Sequence, residues 1–167
     1  FLGTGQVING SVLCYLTEQH VFGCMSGPGK YPDKLEGCLR TAHGNHLEWK
    51  RAANLNSTQP RFTASRINRP SKQSYAELAS KAVNGKVVSF WLTEKAVKHA
   101  SRESATLLDK CIAMCIFWYT KMVAIMDAAG RVFTPTEAHD FFEAGVQHLR
   151  MFMRLAAYSL AHPDEIS

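Results

Sequence analysis

Gly130-Arg131-Val132-Phe133-Thr134-Pro135-Thr136-Glu137 joins two apolar patterns that together run from residue 104 to residue 161. Before it, Leu108, Cys111, Ile112, Cys115, Ile116, Tyr119, Met122, Val123 and Met126 recur at helical spacing and define one wide apolar face. Gly130 stands where a left-handed residue would stop that helix. Thr134 then reads as an N-cap, Pro135 as the first helical residue and Glu137 as the third, which together make a capping box. The helix so started presents Ala138, Phe141, Phe142, Gly145, Leu149, Phe152, Ala156 and Leu160, and His162-Pro163 ends it. Two long helices with a short connection become antiparallel neighbours, so the reading predicts an αα-hairpin against which the earlier helices pack.

Working outward, Val7, Ile8, Val12, Leu13 and Leu16 predict a helix over about 9–21, with Asn9 or Ser11 as its cap. Gly23 and the cluster Ser26-Gly27-Pro28-Gly29 end it. Pro32 suits a first helical position, and Asp33 favours the positive end of the helix dipole. From there Leu35, Cys38, Leu39, Ala42, His46, Trp49 and Ala53 keep one face. Residues 54–73 carry Pro60 and Pro70 and no helical stripe, so they form one long irregular connection. Ser74 is the expected cap of a helix through Tyr75, Leu78, Ala79, Ala82, Val83, Val87, Val88, Trp91, Leu92 and Ala96, with Asn84-Gly85 as a break. The fold class expected is all-α, a bundle of about five helices in a single domain.

At 167 residues and 46% hydrophobic content the chain can bury a core. It opens on Phe1, which marks it as a processed chain or part of a longer one, and no leader for secretion is read at its start. The longest apolar run, Cys111 to Tyr119, falls short of a membrane span and reads as a core helix. Five cysteines without regular spacing argue for a reducing, intracellular setting, nuclear or cytoplasmic, over a disulfide framework.

The net charge of +5 is uneven. Residues 1–49 carry −1, residues 50–110 carry +8 and residues 111–167 carry −2. A basic middle third points to an anionic partner. Arg61, Phe62, Arg66, Arg69 and Lys72 on the irregular connection, with Lys81 and Lys86 beyond it, are the candidate nucleic-acid contacts. Cations on such a segment can meet phosphates, and Phe62 can stack on an unpaired base or, with Ile67, fasten the segment to the core.

Other chemistry is thinner. Cys14, His20, Cys24, Cys38, His43 and His46 lack the close knuckle that zinc needs, so no metal and no cofactor is expected. Cys111 and Cys115 share the face of an apolar helix and read as packing. Glu137, Asp140 and Glu143, with His139 and His148 nearby, could serve a metal-dependent nuclease, but acids at a helix start also simply favour the dipole. Gly23 to Lys30 lacks the Gly-Lys-Ser/Thr ending of a phosphate loop.

Asn9-Gly-Ser-Val-Leu-Cys-Tyr-Leu16, the Leu35 helix, the Arg61-Phe62 segment, Ser74-Tyr-Ala-Glu-Leu-Ala-Ser-Lys-Ala82, the helix from Asp109 to Met126, Phe133 and the stretch from Phe152 to Ala161 follow one another in an order that resembles a large group of highly repeated dinoflagellate proteins. The resemblance implies a helical hairpin fold and no particular activity. The group's abundance implies derivation from a mobile element, with the chain as an accessory part of a nucleic-acid-associated polypeptide and further domains of the same polypeptide as neighbours. Three functions are therefore expected in turn: a non-catalytic structural or interaction module, a nucleic-acid-binding part of a transposase-like protein, and a fragment of a metal-dependent nuclease.

Overall fold

The computed structural model describes residues 2–162 apart from positions 27 and 73. Gly27, expected in the first turn cluster, Gln73, and Pro163 after the last helix therefore lie outside the described residues. The architecture is all-α, with α1 (Leu2–Glu18), α2 (Tyr31–Ala52), α3 (Ala82–Ala100), α4 (Leu107–Ala128) and α5 (Pro135–Ala161) in chain order. They belong to two compact units, Phe1–Leu92 and Thr93–Ser167, with the division falling inside α3.

In the first unit α1 begins seven residues earlier than its expected start, and neither Asn9 nor Ser11 caps it. Asn9 is a buried mid-helix residue that spends its side chain on α3, donating to the Gly85 carbonyl at 2.9 Å and accepting from Ser89 Oγ at 2.8 Å. The helix ends at Glu18, and the turn after it passes through a left-handed His20 (φ 61°), whose ring Nδ1 accepts the Met25 amide at 3.0 Å. α2 has the expected Pro near its start, Asp33 in the first turn, and Lys50 and Arg51 in the last. These charges complement the helix dipole at both ends.

The expected helix from Ser74 does not start there; residues 74–81 are extended or irregular, and α3 begins at Ala82. Burial alternates along this stretch, with Ala76 and Leu78 inside and Tyr75 94% exposed. Its amides bond across the chain: Glu77 to the Ile67 carbonyl at 2.9 Å, Ala79 to Arg66 at 2.8 Å, and Leu78 to Gln6 at 2.9 Å. Ala, Glu and Leu favour a helix locally, but two-sided pairing with α1 and the 66–67 segment wins. Asn84-Gly85 accordingly does not break a helix. It lies in the first turn of α3, where buried Asn84 accepts the Thr58 amide at 3.0 Å.

Gly10 is where the extended segment approaches α1. A Cβ placed there would stand 2.7 Å from the backbone nitrogens of Glu77 and Leu78. Gly10→Ala is therefore expected to cost about 1–2 kcal/mol, because backbone must shift to admit the methyl group. A urea unfolding midpoint unchanged by the substitution would show that this close approach is not needed.

The second unit is dominated by the antiparallel pair α4 and α5. The Thr134 capping box is present as read: Thr134 Oγ1 accepts the Glu137 amide at 3.2 Å, and the Glu137 carboxylate accepts the Thr134 amide at 2.7 Å. A second box starts α4, with Asp109 N donating to Thr106 Oγ1 at 3.1 Å and Thr106 N to Asp109 at 2.7 Å. Gly130 does not stop α4 in a left-handed conformation; the cap is an extended Ala129 (φ −67°, ψ 149°). Thr134→Ala is expected to remove about 1 kcal/mol, read as loss of amide protection at the start of α5. Protection unchanged at Glu137 would count against it.

Cys115 and Tyr119 of α4 meet His148 of α5, and Gly145 of α5 sits against Met122; Ala113, Ile116 and Val123 of α4 are buried as well. The face expected to be packed on α5 is corrected. Ala144 and His148 are its buried residues, and Phe142, Leu149, Phe152 and Leu160 point outward. His148 Nδ1 lies 2.9 Å from the Cys115 carbonyl; since a carbonyl only accepts, Nδ1 carries the proton and ties the two helices.

Candidate functional site

The basic connection is held by residues that sequence reading offered as binders. Phe62 is fully buried, edge-on to His43 (centroids 5.2 Å apart) and stacked on Trp91 (5.7 Å). It is a fastener and is not placed to stack on a base. Ile67 is buried likewise. Arg69 is committed to the interior: Nε donates to the Tyr31 hydroxyl at 3.0 Å, one terminal nitrogen to the Ser74 carbonyl at 2.8 Å, and the other to Glu18 at 2.9 Å. The Tyr31 hydroxyl donates to the same Glu18 oxygen at 2.6 Å, and burial followed by that carboxylate pushes its pKa up. Around Arg69 the chain turns through a left-handed Asn68 (φ 50°), and the Ala64 amide is pinned by Glu36 at 2.9 Å.

Arg61, Arg66, Lys72 and Lys81 are exposed along the same connection, and Lys86 is half-buried on α3. The seven candidate contacts thus divide. Four cations face solvent, while Phe62 and Arg69 fix the chain that carries them. The division was not visible beforehand because an Arg beside a Pro reads the same whether its partner is water or a distant Glu18.

The fastening cluster is itself unusual in chemistry. His46 is fully buried, 5.2 Å from Trp91 and 5.6 Å from Phe62, and neither ring nitrogen has a hydrogen-bond partner among the described residues. Burial, then the neighbouring His43 and Lys50, pulls its pKa down to about 4. His43 is held below its ordinary value by burial as well. Trp91 completes the group by stacking on Phe22 at 5.4 Å and donating to Asn45 at 3.1 Å.

Among the described residues no group of three or more His, Cys, Asp or Glu side chains could hold a metal ion. Cys38 does approach Cys24, but its thiol faces the Cys24 carbonyl at 3.8 Å, and both cysteines are free. Burial pushes the Cys14 and Cys115 thiols up to about 12, so neither is a thiolate near neutral pH. On α5 the Glu137 carboxylate is turned back onto Thr134, whose amide and hydroxyl hold it below the usual carboxylate range. Asp140 and Glu143 are exposed, and His148, expected beside them, is buried against Cys115.

Sequence reading missed a buried polar network that joins the end of α3 to the start of α4. His99 Nε2 lies 2.8 Å from Asp109 and 2.7 Å from the Arg102 guanidinium. With a proton on Nε2 the ring donates to the carboxylate; without one it accepts from Arg102. Burial, then Arg102, holds the His99 pKa down against the pull of Asp109. The spacing Thr106-x-x-Asp109 was the available signal, since it matches the capping pattern at Thr134.

The surface of the second unit is apolar to a degree the periodicity did not foretell. Met114, Phe117 and Met126 of α4 are exposed along with the outward residues of α5. α4 taken whole is also long and apolar enough, by length and composition, to cross a membrane, although its longest uninterrupted apolar run is short. A cleft of about 310 Å³ is lined by Leu107, Leu108, Cys111, Arg154, Leu155, Ala157 and Tyr158. These features define an all-α protein with a fastened basic segment in one unit and an outward apolar helix face in the other. Comparison with protein-family models, curated proteins and solved structures finds no match to this chain.

Proposed function

We propose that the chain is a non-catalytic helical interaction module whose working surface is the outward apolar stripe of α5. The observation that carries this reading is that stripe. Phe142, Leu149, Met153 and Leu160 are 64%, 61%, 68% and 86% exposed on a helix whose other apolar face is already packed. Scattered apolar side chains are ordinary on a protein surface, whereas a contiguous line of large ones marks a contact surface. Three buried titratable groups, Asp109, His99 and His148, are engaged in joining helices, which supports a structural role for them.

Photo-cross-linking tests the reading. A photoreactive phenylalanine analogue in place of Leu149 is expected to form adducts with a protein chain far more than the same analogue in place of the exposed Tyr75. Equal, low yields from both positions would remove the interaction surface.

A second reading, nucleic-acid binding in a mobile-element setting, is favoured by the exposed cations Arg61, Arg66, Lys72 and Lys81 on one connection. It predicts salt-dependent binding to a labelled oligonucleotide that weakens in Arg61→Ala/Arg66→Ala. Binding indifferent to both salt and these substitutions would exclude it.

A further inference from the structure

α5 carries two apolar stripes, and their geometry selects a partner for the second. Phe141, Ala144, His148, Met151 and Leu155 recur on one side, and Ala144 and His148 there are buried. Phe142, Val146, Leu149, Met153, Ala156 and Leu160 recur on another, at successive intervals of four, three, four, three and four residues. That alternation is the heptad seam of a helix that pairs with another helix. Of its six residues only Val146 is partly covered; the other five are exposed.

The charges beside the seam give its direction. Glu143 and Arg150 are one heptad apart and therefore lie on the same flank, with opposite signs. The first half of the helix is acidic, with Glu137, Asp140 and Glu143, and the second half basic, with Arg150 and Arg154. A parallel pairing of two such helices sets Glu143 beside Glu143 and Arg150 beside Arg150. An antiparallel pairing places each acidic half along a basic half.

We propose that a second copy of this chain covers the outward stripe of α5, the two α5 helices packing antiparallel with Val146 over Leu149 of the other copy and Glu143 alongside its Arg150. By the two-fold symmetry both contacts occur twice. Each copy offers on the order of 500 Å² of apolar side chain, which brings the pair near the roughly 1,000 Å² of a specific contact. A membrane surface fits less well, because the acids in the first half of α5 oppose an anionic headgroup layer and no lysine flanks the seam. The proposal rests on the interaction-module reading and names its partner.

Sedimentation equilibrium of the 167-residue chain tests it, with a monomer–dimer equilibrium expected at micromolar concentrations. Leu149→Glu/Met153→Glu is expected to leave the circular dichroism unchanged, since both side chains face outward, and to abolish the dimer. Glu143→Arg and Arg150→Glu each bring like charges together twice and weaken association about tenfold. Mixing these two variants restores opposite charges at both contacts, so the mixture is expected to dimerise as the unaltered chain does. A chain that stays monomeric throughout, a dimer that survives Leu149→Glu/Met153→Glu, or a mixture no tighter than its components overturns the proposal. So does a monomer that binds vesicles of anionic phospholipid through the same residues. A monomer that still cross-links from position 149 to a different protein removes the second copy while keeping the module reading; one that cross-links to nothing removes both.

Discussion

Phe62→Ala is expected to lower the unfolding free energy of the first unit by about 3–5 kcal/mol and to loosen the basic connection from the helices beneath it. The ring is fully buried and meets Trp91, His43 and His46, with centroid separations between 5.2 and 5.7 Å. Its removal deletes the transfer free energy of an aromatic side chain and leaves a cavity that those three rings cannot close by small shifts. It also cuts an anchor of a segment that is otherwise held by Ile67, Arg69 and the amides of residues 77–79. Two measurements report it: a fall in the urea midpoint followed by tryptophan fluorescence, and faster amide exchange over residues 57–69. A loss below about 1 kcal/mol would show that Phe62 is replaceable packing, and the fastening would then have to lie with Ile67 and Arg69.

Acidification is expected to destabilise the same unit, by on the order of 2–3 kcal/mol between pH 7 and pH 4. His46 has a folded pKa of about 4, with burial the chief cause, against an ordinary value of 6.5. The unfolded chain therefore takes up a proton first as pH falls. Stability is intact above pH 7, declines as pH passes below about 6.5, and its loss to this group levels off as pH falls through the folded pKa of about 4. His43 shifts in the same direction, also through burial, and adds to the slope. The local geometry explains why protonation is resisted: an imidazolium needs two acceptors, and both His46 nitrogens lack a partner among the described residues. His46→Leu keeps an apolar side chain of comparable size in the pocket and removes the titration. That variant is expected to be at least as stable at pH 7 and to show a flatter acid limb. Retention of the full decline between pH 7 and pH 5 in His46→Leu would assign the acid sensitivity to other groups, beginning with His43.

These two results bear on function through what they leave untouched. Loosening the basic connection alters the setting of Arg61 and Arg66, whereas the α5 stripe lies in the second unit. Cross-linking from position 149 that survives Phe62→Ala, beside oligonucleotide binding that does not, would separate the two candidate surfaces experimentally.

Local chemistry by itself determined where α2 and α5 begin. Pro32 with Asp33, the Thr134 box, and Pro60 and Pro70 in the irregular connection act within one turn of their own position, so the order of helices and the α4–α5 hairpin could be read directly. The same rules failed where a partner distant in sequence decided. Residues 74–81 have the composition of a helix, yet Gln6, Arg66 and Ile67 supply carbonyls that draw them into an extended line. Asn9 looks like a cap, yet Gly85 and Ser89 engage it in the middle of α1. Periodicity names a single face of α5, Ala138, Phe141, Phe142, Gly145, Leu149, Phe152, Ala156 and Leu160, which mixes residues of two stripes that lie one or two positions apart. Only the tertiary structure decides between them, because the stripe that is buried is the one whose Ala144, Gly145 and His148 let α4 approach and offer it a hydrogen bond, and the bulkier Phe142, Leu149 and Met153 are left to face outward.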